Sequence, residues 1–379
     1  MKMRLREFGF QVGTLPTGMK NHLSDVPGVS VGHISLHSKT GQTADACTGV
    51  TAILPHQDSL FHHKVPAAAH IINGYGKTTG LVQVDELGEI ESPILLTNTF
   101  GVPAAVEGTL KYMMETHAEI GDTTSVNVVV GECNDSYLND MRSLHVRPRH
   151  ALAALENARN HPSLAEGAVG AGMGMRCFGW KGGIGSSSRI VTNGAHFGHV
   201  GVLVLTNFGR PEELVLLGRP VGAVLSAQKP VSKVPDLPVE GPSNSHGLES
   251  GSSGLVPGSI MIIVATDLPL QSLELKRMAK RAAFGIARTG GIAHHGSGDV
   301  VIAFSNYNDG LQAGKPNWSD RISPEMMNVL FQAVVEATEE SILNSLFAAE
   351  TTVGRLGRVV EELPVHEVVQ LLRRSDEAE

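Results

Sequence analysis

The chain is poor in several things at once. Cysteine occurs only three times in 379 residues, at Cys47, Cys133 and Cys177, with no CxxC pair and no Cys/His ligand spacing. That excludes a disulfide scaffold and a zinc ribbon, and fits reduced thiols in a cytoplasmic compartment. Aromatic residues make up 4% and charged residues 18%, the latter against about 25% in average globular proteins. The net charge is −8 and no Lys/Arg run is present, so nucleic acid is not an expected partner. The one compact basic patch, Arg142, Arg147, Arg149 and His150, reads as a solvated helix start. No apolar stretch reaches the roughly 18 residues of a membrane span; the longest, around Ile260–Ala265, has strand length. The start, MKMRLREFGFQVG, lacks an apolar signal-peptide core. These absences together predict a soluble cytoplasmic protein with no membrane partner.

What the chain does have is glycine, 43 residues of 379, well above the roughly 7% usual. The glycines have no strict period and are not confined to one tract, which excludes collagen and simple disorder. Tight turns and close backbone approaches remain. Val50–Leu54, Ala69–Ile72, Ser125–Val130 and His199–Asn207 read as strands. Val102–His117 and Pro148–Asn160 read as helices, with Pro103 and Pro148 near their starts. Gly167–Gly185 holds eight glycines and leads into serines and an apolar run. It reads as turns between strands, not as a phosphate cradle before a helix.

Lys229–Gly258 is about half Pro, Gly and Ser and is expected to be a long loop. Beyond it the pattern becomes regular. Ser259–Ala265 is a buried strand, Leu270–Arg288 an amphipathic helix, Val300–Phe304 a strand. Ser323–Ala349 is a long helix with Ser323 as N-cap, and His366–Arg374 a short last helix.

The junction at Gly258–Ser259 is the most informative point. A Pro/Gly/Ser segment meets a rigid apolar strand at a serine preceded by glycine. One reading is a linker ending on a strand. The other is self-cleavage: the Ser259 hydroxyl attacks the preceding carbonyl, and the exposed α-amine, with an ordinary pKa near ~8, becomes a general base beside the nucleophile.

The segments LSDVPGVSVGH, NGYGKTTG, VGECNDSYLND, GAVGAGMGM, GGIGSSSR, VGVLVLTNFGR, PGSIMIIVATDLPL, LKRMAKRAAFGIARTG and GSGDVVIAFSN occur in that order along nearly the whole chain. In this the sequence resembles the self-processing aminopeptidases that include L-aminopeptidase/D-amino-acid esterases and β-peptidyl aminopeptidases. The resemblance implies an α/β (α+β) protein, a four-layer αββα sandwich similar to N-terminal-nucleophile hydrolases with different connectivity. It implies one catalytic domain over residues 1–379, cut into 1–258 and 259–379. It further implies short peptides or amino-acid amides and esters as substrates, no cofactor, and a homotetramer of processed protomers.

The same resemblance assigns roles. Ser259 is the nucleophile and Gly258–Ser259 the cleavage site. Asn207, at the end of VGVLVLTN, gives its amide to the oxyanion hole; on its own it also reads as a turn or helix cap. Ser297 bonds the nucleophile, and Asp299, two residues on, bonds Ser297; without the resemblance GSGD reads as a turn into a strand. Glu132, a carboxylate ending an apolar strand, anchors the substrate's α-ammonium, with a salt bridge to an arginine such as Arg142 as the other reading. Asn134 stands where some members carry a catalytic tyrosine, so that role does not transfer; Tyr137 is a pocket-lining candidate. His56, His62–His63 and His294–His295 lack the spacing of a metal site, and His294–His295 are placed to shape the pocket instead. The expected activity is a serine aminopeptidase or amidase. The alternatives are an acyltransferase of the ornithine acetyltransferase type and an endo-amide hydrolase, both associated with threonine where this chain has Ser259.

Overall fold

The computed structural model describes residues 2–38, 45–193, 196–228, 258–307 and 322–376. The strand β1 (Ser30–His37) is followed by β2 (Cys47–Leu54), β3 (Val65–Gly74), helix α1 (Leu81–Leu87), β4 (Glu89–Ile90) and β5 (Ile94–Asn98). Next come α2 (Val102–Thr116), β6 (Val129–Cys133) and α3 (Pro148–Asn160). The glycine-rich segment makes a 3-10 turn at Gly170–Gly174 and two short strands, β7 (Arg176–Cys177) and β8 (Trp180–Lys181). It then enters β9 (Ile184–Asn193), β10 (His196–Asn207) and α4 (Val221–Gln228). The last part holds β11 (Gly258–Thr266), α5 (Ser272–Ala279), α6 (Ala282–Arg288), β12 (Ser297–Ser305), α7 (Pro324–Phe347), a small β13 (Thr352–Val353)/β14 (Val359–Val360) hairpin and α8 (Val365–Asp376).

Two sheets stack face to face. One has the order β1-β2-β5-β6, the other β4-β3-β12-β11-β10-β9. Strand β11 shows why its sequence is apolar without a break. Met261, Ile263 and Ala265 enter the core between the sheets with Leu203, Leu205, Ile94 and Val129. Ile260, Ile262 and Val264 enter a second core with Leu275, Met278, Leu330 and Val334 of α5 and α7. A strand buried on both faces has no polar side to alternate with. On the outer face of the smaller sheet, Val50, Ala52 and Val130 pack with Ala105, Ala151 and Leu155 of α2 and α3. The order of layers is helix, sheet, sheet, helix, the four-layer αββα sandwich. No helix among the described residues is long and apolar enough to cross a membrane.

Two elements differ from the sequence expectation. The helix expected over Leu270–Arg288 is two helices, α5 and α6. The hydrogen bonds shift to i−3 spacing at the join, Arg281 to Met278 and Phe284 to Arg281. The buried face nonetheless continues through Met278, Ala279, Ala282 and Ile286, so periodicity carries no trace of the break. The strand expected over Ser125–Val130 begins only at Val129. Asn127 is held by side chains instead, its N–H on Glu91 Oε1 at 2.7 Å and its Nδ2 on Gly80 O at 2.9 Å. The long loop expected over Lys229–Gly258 lies, apart from Gly258, outside the described residues. The Ser323 cap is present, its hydroxyl accepting from Met326 N–H at 3.1 Å.

A buried charge cluster ties α7 to the larger sheet. Arg189 on β9 is fully buried and pairs with Glu336 at 3.1 Å and Glu340 at 2.7 Å. Arg6 and Asn21 also donate to Glu340, each at 2.6 Å. Burial pushes the Glu340 carboxyl up, but the bond from Arg6 and the charge of Arg189 outweigh it, leaving it below its ordinary range. Arg189→Met removes the fully buried cation, leaving Glu336 with no ion pair among the described residues and Glu340 with Arg6 alone. It is expected to lower stability by about 3–5 kcal/mol, read as a shift of the urea midpoint at unchanged slope.

Candidate active site

Strands β10 and β11 run antiparallel with Asn207 directly opposite Ser259. Opposed residues of an antiparallel pair project to the same face. Ser259 has the parity of Met261 and Ile263, and Asn207 that of Leu203 and Leu205, so both stand on the inter-sheet side. Ser259 is 4% exposed, and its Oγ donates to the Gly258 carbonyl oxygen at 2.5 Å. The hydroxyl therefore lies against the carbonyl before it in the chain.

The Asn207 amide is fixed in one orientation. Its Oδ1 accepts from Arg176 N–H at 3.0 Å, and its Nδ2 donates to Asn134 O at 2.8 Å. A flipped amide would set donor against donor and acceptor against acceptor. Among the described residues one Nδ2 proton remains beyond the bond to Asn134. The backbone carbonyl of Asn134, where sequence reasoning found no catalytic tyrosine, thus supports the asparagine.

Strand β12 lies parallel to β11 on its other side. Gly258 pairs with Ser297 and Ser259 with Gly298. Ser297 Oγ donates to Asp299 Oδ1 at 2.6 Å, so the short aspartate side chain reaches the serine. Each of the hydroxyls of Ser259 and Ser297 has its single proton engaged elsewhere. The direct Ser297–Ser259 bond implied by the resemblance is therefore not made while Gly258 and Ser259 are joined. Asp299 Oδ2 is buried without a hydrogen bond among the described residues. Burial pushes the Asp299 carboxyl up to about 6, partly offset by the bond from Ser297 and by the backbone N–H of Ile260.

Glu132 sits near the end of β6 and is 2% exposed. It makes no ion pair with Arg142 or any other cation among the described residues. Its partners are neutral: Lys77 N–H gives 2.8 Å to Oε1, and the Thr99 hydroxyl donates to Oε2. Glycines bring this carboxylate toward the serines. A Cβ at Gly298 would meet Gly76 Cα at 2.8 Å, and one at Gly76 would stand 3.7 Å from Glu132 Oε1. Gly76 is therefore wedged between Gly298, the partner of Ser259, and Glu132. Sequence reasoning missed Thr99 and the Lys77 N–H. The segments TNTFG and NGYGKTTG were visible, but nothing local indicated that they meet at one carboxylate.

Tyr137 meets arginines: the Arg176 guanidinium lies 4.0 Å and that of Arg358 5.1 Å from its ring centroid. Its nearest link to the other residues is through Arg176, whose N–H holds Asn207. His294 pairs with Glu213 at 2.9 Å, and its carbonyl accepts from Asn73 Nδ2 and from Ser297 N–H. It thereby shapes the turn into β12. A cavity of about 330 Å³ lined by His56, Ser59 and His117 includes none of the site residues above. No group of three or more His, Cys, Asp or Glu among the described residues is arranged to hold a metal. All three cysteines are free and buried; burial pushes the Cys47 and Cys177 thiols up to about 12, which makes them poor nucleophiles.

Comparison with known proteins shows what the chain is similar to. The chain is 36% identical over 379 residues to the β-peptidyl aminopeptidase BapA of Sphingosinicella microcystinivorans, covering 98% of this chain and 92% of that protein. The crystal structure of the PH0078 protein from Pyrococcus horikoshii OT3 superposes with a TM-score of 0.85 at 44% identity, covering 99% of both chains. The L-aminopeptidase D-Ala-esterase/amidase of Ochrobactrum anthropi, described as a new variant of the Ntn hydrolase fold, superposes with a TM-score of 0.82 at 31% identity, over 98% of this chain and 99% of the other. The pattern of peptidase family S58 matches residues 21–360. On that match and on the similarity to these relatives, the chain belongs to peptidase family S58 and is an aminopeptidase.

Proposed function

We propose that this chain is a self-processing serine aminopeptidase that releases N-terminal residues from short peptides, amides or esters through an acyl-enzyme on Ser259. The observation that carries the reading is Glu132. A buried carboxylate whose partners among the described residues are a backbone N–H and a hydroxyl has charge to spare for a cation. The free α-ammonium of a substrate supplies it through charge-assisted hydrogen bonds. An internal peptide bond carries no such group, which restricts the cut to the first residue.

Processing comes first. Ser259 Oγ forms a bond to the Gly258 carbonyl carbon, the C–N bond breaks, and the hydroxyl proton passes to the departing nitrogen. Water then hydrolyses the ester, leaving a Gly258 carboxylate and a Ser259 with both hydroxyl and α-amine. The pieces 1–258 and 259–379 stay joined by the β10–β11 and β3–β12 ladders and by the Arg189 pairs to Glu336 and Glu340. In turnover the α-amine accepts the Oγ proton as Oγ attacks the substrate carbonyl. The free Nδ2 proton of Asn207 meets the oxyanion, a donor of a kind worth ~3–4 kcal/mol. The leaving amine takes up the proton, and water releases the acyl group. Asp299 holds Ser297 beside this centre.

Incubation with an aminoacyl p-nitroanilide and no added acceptor tests the reading. p-Nitroaniline release supports hydrolysis; release only after an amine acceptor is added overturns it in favour of acyl transfer. The pH profile of the same assay reports Asp299. The α-amine base sets a first fall in kcat/KM below about pH 8; the Asp299 carboxyl, pushed up to about 6 by burial in the uncut chain, no longer accepts from Ser297 as an anion once protonated, so a second, lower fall is expected from it. Asp299→Asn is expected to remove the lower fall and leave the upper one. The stability effect of the group runs the other way. Its folded pKa lies above the ordinary 3.8, so its contribution declines as pH rises from about 4 to about 6.

A further inference from the structure

Lys181 is a cation that none of the chemistry above uses. It lies on β8, inside the glycine-rich segment, and is fully buried. Its Nζ donates to three carbonyls: Gly172 at 2.8 Å, Met175 at 2.8 Å and Gly182 at 2.7 Å. Burial pushes its pKa down to about 7. The three carbonyls still call for the ammonium, because a neutral amine has only two protons to offer them. Three backbone oxygens converge on one nitrogen only where the chain can fold back closely. A Cβ at Gly172 would lie 2.6 Å from Gly167 O, and one at Gly183 would lie 2.1 Å from the same oxygen, at a φ of +136°. These glycines therefore build the cage that holds Lys181.

The loop closed in this way grips the end of β10 at three successive residues. Thr206 N–H donates to Gly183 O at 2.9 Å, Arg176 N–H to Asn207 Oδ1 at 3.0 Å, and Phe178 N–H to Phe208 O at 2.7 Å. Residues 176, 178 and 183 surround position 181, and the carbonyl of Met175 that Lys181 holds is part of the same peptide unit as the Arg176 N–H. Moving that carbonyl moves the N–H that orients the Asn207 amide.

We infer that Lys181 is a positioning residue for the oxyanion side of the site: it fixes the Met175–Arg176 peptide, and through it the direction in which Asn207 presents its free N–H. This rests on the proposed role of Asn207. Because Asn207 acts on the tetrahedral state and not on the bound substrate, loss of Lys181 acts on kcat.

The test is Lys181→Met, which keeps an unbranched apolar stem and removes all three donors. The full-length protein is assayed on an aminoacyl p-nitroanilide beside the native enzyme. The expected result is a kcat lower by about 10²-fold with KM within threefold. A peptide aldehyde, which forms a tetrahedral adduct on the nucleophile, should bind more weakly in proportion to the loss in kcat/KM. The free amino-acid product should bind as before. Lys181→Gln, which retains two donors, should recover part of kcat. Parallel losses in kcat, in product binding and in melting temperature would identify a purely structural lysine and overturn the inference. So would failure of both variants to fold, or an unchanged kcat in a folded Lys181→Met. A native enzyme that releases no p-nitroaniline would instead overturn the hydrolase reading itself.

Discussion

Ser259→Ala is expected to leave a single chain near 40 kDa on a denaturing gel, with no hydrolysis of aminoacyl p-nitroanilides. Scaling 40.1 kDa by residue count, the native sequence should resolve into about 27 kDa for residues 1–258 and about 13 kDa for 259–379. N-terminal sequencing of the small fragment should begin at Ser259. The expectation follows from the position of one oxygen. Ser259 Oγ lies 2.5 Å from the Gly258 carbonyl oxygen, and alanine removes it. Among the described residues the Gly258 carbonyl is the group to which that hydroxyl donates, so the substitution removes that one side-chain bond. The variant should therefore fold with a melting temperature close to that of the native protein. The effect on turnover should be the largest of any single substitution, about 10⁶-fold in kcat when a serine nucleophile is deleted. A native protein that persists as one 40 kDa band would overturn self-processing. A Ser259→Ala variant that is still cut, or still hydrolyses, would move the nucleophile elsewhere.

Much of this site could be read along the chain, and the unread part shares one physical character. Ser259 was legible because two local signals collide there: a Pro/Gly/Ser tract and a run of β-branched and apolar residues buried on both faces. Asp299 two residues after Ser297 was legible as a same-side pair in extended chain, and the 2.6 Å bond between them follows from that alternation. The opposition of Asn207 and Ser259 was not legible, because it depends on the register of two strands separated by a long segment. Nor were Thr99 and Lys77 at Glu132, or Arg176 at Asn207, since each contact joins segments distant in the chain, two of them through backbone N–H groups that almost any residue possesses and one through a threonine hydroxyl. Lys181 is the sharpest case. A lysine ordinarily indicates surface, and only its setting in FGWKGGIG, a lone cation among glycines and apolar residues, hinted otherwise. The α5–α6 break left no sign because the buried face runs straight through it.

Glu132→Gln separates recognition from chemistry more sharply than any other change to the site. The substitution is nearly isosteric. The amide oxygen can keep the Lys77 N–H, and the Thr99 hydroxyl can turn to accept from the new NH₂, so the fold around β6 should hold. What disappears is the negative charge in a place where the carboxylate is 2% exposed and, among the described residues, has neutral partners alone. Breaking a buried charged pair costs about 2–5 kcal/mol, which is roughly 30-fold to several-thousand-fold in kcat/KM. That loss should appear only with substrates that carry a free α-ammonium. N-acetylated analogues, poor for the native enzyme, should be no worse for the variant, so the native preference for the free amine collapses. The Gly258–Ser259 bond presents no ammonium to Glu132, and the variant should still yield both fragments on a gel. Equal losses on free and acetylated substrates would make Glu132 a structural residue. An undiminished preference for the free amine would place the anchor on another group. Intact processing together with a lost preference is the one combination that a carboxylate dedicated to the substrate's amino end produces.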